Sequence, residues 1–169
     1  MLYVDFFGHS ISKLIIGDNP FNGHSYITQY VTREEMIDYH TEDKILEAMH
    51  KMEDLGITTM LPLAEPYMIR ILRHYRNNGG KMKFIFQCYS PMNPDASMRQ
   101  MEAVDPIGVY VTGSFTDVRF ETGKVDEIHE MLEKYHQMGI KVGLGTHHPE
   151  VIAASEKEGW NTDFYLACM

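Results

Sequence analysis

The sequence predicts an α/β protein of the TIM (β/α)8-barrel type, apparently truncated after its sixth strand and preceded by an N-terminal β-hairpin. Six short apolar runs carry the expectation: Leu14–Gly17, Thr58–Ala64, Lys83–Cys88, Ile107–Thr112, Lys141–Gly145 and Asp163–Met169. The first five end at Gly, Pro or a polar residue, and helical patterns separate most of them, which is the rhythm of βα units in a parallel sheet. The runs are continuously apolar, so both faces of the sheet are expected to be covered. An open doubly wound sheet would place a glycine-rich phosphate turn after its first strand. Here Gly17-Asp18-Asn19-Pro20 lacks that fingerprint, and Pro20 removes a backbone N–H. A complete barrel takes about 250 residues, so 169 residues fit six of eight units. Residues 1–169 therefore read as one incomplete domain, with more coding sequence expected downstream because no turn follows the sixth run.

Each element has its own signal. Leu2–Phe7, Gly8-His9-Ser10 and Ile11–Ile16 read as a hairpin leading into the first barrel strand. The stretch from Phe21 to His40 is long for a βα connection, and such loops often serve as lids. Within it, Thr32-Arg33-Glu34-Glu35 matches a capping box and predicts a short helix. Thr41 caps the first main helix, with Ile45, Met49, Met52 and Leu55 on its apolar face and Gly56 at its end. Pro66 opens the next, carrying Met68, Ile69, Ile71, Leu72 and Tyr75. A weaker helix is expected near Asp95–Ala103. Gly113–Gly123 reads as a polar loop before a clear amphipathic helix with Val125, Ile128, Leu132 and Tyr135. Thr146-His147-His148-Pro149 leads into a last helix, Glu150–Lys157.

Composition narrows the function. The formal charge is −9, with 15 Lys plus Arg against 24 Asp plus Glu, and no basic cluster stands out. A nucleic-acid partner is therefore not expected. No apolar stretch is long enough to span a bilayer, and Met1–Asp5 lacks the basic and apolar regions of a signal peptide. Cys88 and Cys168 lie in apolar runs and read as buried, reduced thiols. Together these predict a cytoplasmic protein. Open edges at strands one and six would invite oligomerisation.

The stretch Phe6-Phe7-Gly8-His9-Ser10-Ile11-Ser12-Lys13-Leu14-Ile15-Ile16-Gly17 resembles the N-terminal hairpin and first strand of the aldo/keto reductase superfamily. Ala64-Glu65-Pro66-Tyr67 is similar to that family's segment after strand two. Gly143–Glu150 is similar to its strand-five end. The resemblance implies a barrel, a shared ancestry and NADP as a possible cofactor, with Thr146 as a contact to it. It also implies a divergent chemistry. Tyr67 matches the catalytic tyrosine, but Pro62, Gln87 and Thr112 or Gly113 stand where the family has Asp, Lys and His. A tyrosine of ordinary pKa, near 10, is a poor acid without a neighbouring cation.

Barrel geometry selects site candidates independently, because strand C-terminal ends converge on one face. They are Asp18, Asn19 and His24 after strand one, Glu65 and Tyr67 after strand two, and Gln87 and Tyr89 at strand three. Thr112 and Ser114 follow strand four, and Thr146, His147 and His148 follow strand five. We take Tyr67, Glu65, Gln87 and His147 as the catalytic candidates. A divalent metal on Asp18, His24 and His148 is the alternative. The expected substrate is a small polar molecule. A divergent reductase, a metal-dependent hydrolase, lyase or isomerase, and a catalytically silent binding barrel all remain open at this point.

Overall fold

Two antiparallel strands, β1 (Tyr3–Phe6) and β2 (His9–Ser12), open the chain as a hairpin whose turn places Phe7 and Gly8 at positive φ. The computed structural model describes residues 1–25, 29–88 and 93–168. Six parallel strands follow, paired in chain order: β3 (Ile16–Gly17), β4 (Thr59–Leu61), β5 (Lys83–Cys88), β6 (Pro106–Val111), β7 (Lys141–Thr146) and β8 (Phe164–Ala167). Among the described residues seven α-helices intervene: α1 (Arg33–Tyr39), α2 (Glu42–Asp54), α3 (Pro66–Asn77), α4 (Pro94–Met101), α5 (Gly113–Glu121), α6 (Val125–His136) and α7 (Pro149–Glu158). The sheet curls into a half-barrel with β3 and β8 as its outer strands.

The two sheet faces have separate cores. Phe84, Phe86, Val109, Val111, Val142 and Leu144 join buried side chains of α2, α3, α6 and α7 in one large cluster under the helices. Ile85, Tyr110, Phe164 and Leu166 face the concave side with Ile11 and Phe6 from the hairpin. Alternation along each strand sends successive residues to opposite cores, and both cores are apolar, so the strands read as unbroken runs. Gly143 is required here: a Cβ would fall 2.4 Å from the Phe164 ring.

The hairpin closes the end of the sheet from which the strands start. The Ser12 N–H donates to Thr58 Oγ1 at 2.9 Å, and the Thr58 N–H donates back to Ser12 Oγ at 2.9 Å. Lys83 Nζ donates to the Ser10 carbonyl at 3.0 Å. The opposite end is left to the βα loops.

Several sequence expectations need correction. The first barrel strand shrinks to Ile16–Gly17, and the second to Thr59–Leu61 with a further bridge between Leu63 and Gln87. Gly113–Gly123 is mostly helix, because α5 buries Thr116 and Asp117 alongside Phe115 and so shows no apolar stripe. Leu55 caps α2 in the open, 73% exposed, and Leu46 takes the buried position expected of it. Cys88 is buried, whereas Cys168 is exposed beyond β8. The capping box forms as expected: Thr32 Oγ1 accepts the Glu35 N–H, and Glu35 accepts the Thr32 N–H. The stretch expected as a lid holds α1 and a 3-10 turn at Asn19–Asn22, and residues 26–28 lie outside the described residues. Met169, the last residue of the sixth run, lies outside them as well.

No helix among the described residues is long and apolar enough to cross a membrane.

Candidate functional site

A cavity of about 470 Å³ lies at the carboxyl ends of β3 to β6. Asn19, His24, Arg33, Glu65, Gln87, Thr112 and Ser114 line it. A larger groove of about 760 Å³ runs outside the sheet, between β3 and α2. Its lining is mainly apolar, through Ile16, Phe21, Ala48 and Met52, and its Lys51 and Glu47 are already paired at 2.6 Å. The strand-end cavity is smaller but collects unlike polar groups from four separate βα connections.

Asp18, next to the lining residue Asn19, is 3% exposed. The Leu63 N–H and Asn22 Nδ2 each donate to its Oδ2 at 2.7 Å, tying the turn after β3 to the end of β4. Burial pushes the Asp18 carboxyl above the ordinary carboxylate range, although these two bonds pull it down. Glu65 is the residue before α3 and makes no capping bond with its side chain. Its pKa is raised, first by burial and then by the Asp18 charge, against the downward pull of His24 and Arg33. A carboxyl poised in this way keeps a larger neutral fraction than a solvated one. Gln87 presents its amide at the end of β5, where Tyr110 Oη donates to Oε1 at 2.7 Å and fixes the amide's orientation.

His147 stands beside this group. Its ring lies against Gly113, whose neighbours Thr112 and Ser114 both line the cavity. Nδ1 is 2.6 Å from Asp117 Oδ2. Burial alone would raise the Asp117 pKa, but hydrogen bonds from Thr146 and His147 outweigh it and hold the carboxyl below its ordinary range.

The structure thus brings Asn19, His24, Glu65, Gln87, Thr112 and Ser114 to one cavity, with Asp18 adjoining it through Asn19 and His147 next to it. It does not do so for the rest. Tyr67 lines a separate groove between α2 and α3, with Glu42, Arg70 and His74. It follows Glu65 by two residues, and successive helical residues turn by about 100°, so the two do not share a face. Thr146 is 1% exposed, and its hydroxyl donates to Asp117 at 2.5 Å. That commitment does not fit a direct contact to a nicotinamide cofactor. His148 turns to Glu121, with Nε2 3.3 Å from Oε1. Among the described residues no three His, Cys, Asp or Glu side chains converge as metal ligands, so Asp18, His24 and His148 do not form a donor set. Tyr89 lies outside the described residues.

Two contributors were missed from sequence. In the sequence Arg33 stands out only as part of a capping box, yet its place on α1 carries it to the cavity. Asp117 was hidden in a stretch read as loop. A helical reading of Thr112–Glu121 would have set Asp117 and Glu121 four residues apart on one face, opposite the two adjacent histidines.

No protein-family model, curated protein or solved structure matches this chain.

Proposed function

We propose that the protein is an enzyme that moves protons on a small polar molecule held at the strand ends. One observation carries this reading: the partly buried Glu65 carboxyl, raised in pKa, shares a cavity with a guanidinium, an imidazole and an oriented amide. A carboxyl whose pKa is raised by burial and by a specific charge partner, placed in a cleft, is a candidate general acid. Glu65 serves as the acid that supplies a proton to an oxygen of the substrate. Arg33 and the Gln87 amide bind and orient the polar groups. His147 accepts or returns the second proton.

The six-stranded half-barrel is read as the larger part of a (β/α)8-type ring, and the aldo/keto reductase resemblance as common descent of that ring. Tyrosine-driven carbonyl reduction is not carried over, because Tyr67 lines another groove and Thr146 is committed to Asp117.

The test is a panel of small hydroxy acids, polyols and their carbonyl counterparts, followed for isomerisation, elimination or exchange of carbon-bound hydrogen. Glu65→Gln and His147→Gln are each expected to lower turnover about 10²-fold or more. Because the Glu65 pKa is raised, the acid is expected to stay active above the pH at which an ordinary Glu, near 4.3, would ionise. The alkaline limb of kcat that reports this ionisation should vanish in Glu65→Gln. Turnover unchanged in both variants would refute the proposal and favour a barrel that binds without reacting.

A further inference from the structure

We propose that Asp117 is a positioning residue that holds His147 as the Nδ1-protonated imidazole and leaves Nε2 as its proton acceptor beside the strand-end cavity. The direction of every bond in the cluster follows from the donor inventory. The His148 N–H donates to Thr146 Oγ1 at 3.0 Å, so the Thr146 hydroxyl is free to send its own proton onward to Asp117 Oδ1, 2.5 Å away. The Asp117 carboxylate only accepts. It takes the Thr146 hydroxyl on one oxygen and His147 Nδ1 at 2.6 Å on the other, and the His147 N–H reaches the same carboxylate at 3.2 Å. With an acceptor opposite Nδ1, the neutral ring must carry its proton there. Among the described residues, Nε2 has no hydrogen-bond partner, and the His147 side chain is 51% exposed.

The backbone is shaped for this ring. A Cβ on Gly113 would lie 3.0 Å from His147 Cε1 and 3.1 Å from Nδ1, so the ring would have to shift by a few tenths of an ångström to admit it. A Cβ on Gly145 would lie 2.9 Å from both the Gly113 nitrogen and the Val111 carbonyl oxygen. The two glycines let the ends of β6 and β7 approach until α5 can deliver Asp117 to His147. Asp117 itself is 7% exposed, so the pair is anchored on the side away from solvent. A carboxylate that fixes the tautomer of an imidazole in this way is the orienting element of acid–base sites.

The catalytic meaning of the pair rests on the proposed proton-transfer function, but its geometry can be tested without a substrate. The whole chain is labelled with 15N-histidine and read by long-range proton–nitrogen correlation at mildly alkaline pH, with His147→Gln used to assign the signal among nine histidines. His147 is expected as the Nδ1–H tautomer. In Asp117→Asn the amide can turn its NH2 toward Nδ1 while its oxygen keeps the Thr146 bond, so the ring is expected to switch to Nε2–H. An Nε2–H ring in the unaltered protein overturns the proposal, and that spectrum decides the matter even if the variant does not fold. In Asp117→Ala no acceptor among the described residues faces Nδ1, and a folded alanine variant that keeps Nδ1–H overturns the proposal as well. Failure of the Glu65 and His147 turnover effects with the Nδ1–H tautomer intact would sink the proposed reaction alone.

Discussion

Asp18 is the residue whose replacement separates charge from hydrogen bonding most cleanly. It is 3% exposed, and its Oδ2 accepts from both Leu63 N and Asn22 Nδ2 at 2.7 Å. Asp18→Ala leaves two buried donors without an acceptor, at about 1–3 kcal/mol each, partly offset by removing a carboxylate that is costly to bury. A net loss of about 2–4 kcal/mol is expected. Asp18→Asn keeps an oxygen for Leu63 and removes the charge. The same oxygen can go on accepting from Asn22 Nδ2, because both donors meet at one position. The expected change is under about 1 kcal/mol, of either sign. The pH dependence follows from the raised pKa of Asp18. The folded state binds the proton more tightly than the unfolded chain, so this group's contribution is fully present below the ordinary Asp pKa, near 3.9, and is lost as pH rises through the folded value. Relative to Asp18→Asn, the unaltered protein should therefore gain stability as pH falls toward 4. Urea unfolding of the three proteins at pH 7 and pH 5 measures this. An alanine variant within about 0.5 kcal/mol of the parent, or a wild-type advantage that grows with rising pH, would refute the reasoning.

Three further outcomes are expected. Gly80→Ala should cost about 3 kcal/mol in chemical denaturation, because its Cβ would sit 2.2 Å from ring atoms of Tyr75, which Glu53 and Met82 hold through the hydroxyl. Burial pushes the Cys88 thiol up to about 12, whereas Cys168 is exposed. A neutral-pH thiol reagent should therefore label one cysteine in the native protein and both after unfolding, as counted by mass spectrometry. Thr32→Ala removes half of the capping box of α1 and should lower stability by about 1 kcal/mol, read from the urea midpoint. Because α1 carries Arg33 to the cavity, the same change should weaken retention of an anionic substrate analogue once one is known.

The residues show why some features were legible in sequence and others were not. The bounds of β5, Lys83–Cys88, are legible in the sequence because the strand is covered on both faces and flanked by abrupt changes in polarity. The capping box at Thr32 was legible because both reciprocal bonds lie within four residues. The helix α5 escaped because hydrophobic periodicity weighs apolar side chains, and its buried face includes Thr116 and Asp117. Tyr67 matched a family segment by position, but two residues of helix turned it away from Glu65. His147 and His148 were indistinguishable as neighbours in the chain. Only the placement of Asp117 and Glu121 told them apart.

What the sequence determined by itself was the order of its strands and of every helix with an apolar stripe or a recognisable cap, since strand and helix periods, caps and turn glycines are local and are written in adjacent residues. The tertiary structure decided which polar groups meet. Glu65, Arg33 and Gln87 are far apart in the chain and share a cavity only because parallel strands bring their ends together. The tautomer assigned to His147 depends on one carboxylate thirty residues away, a contact that no local pattern encodes.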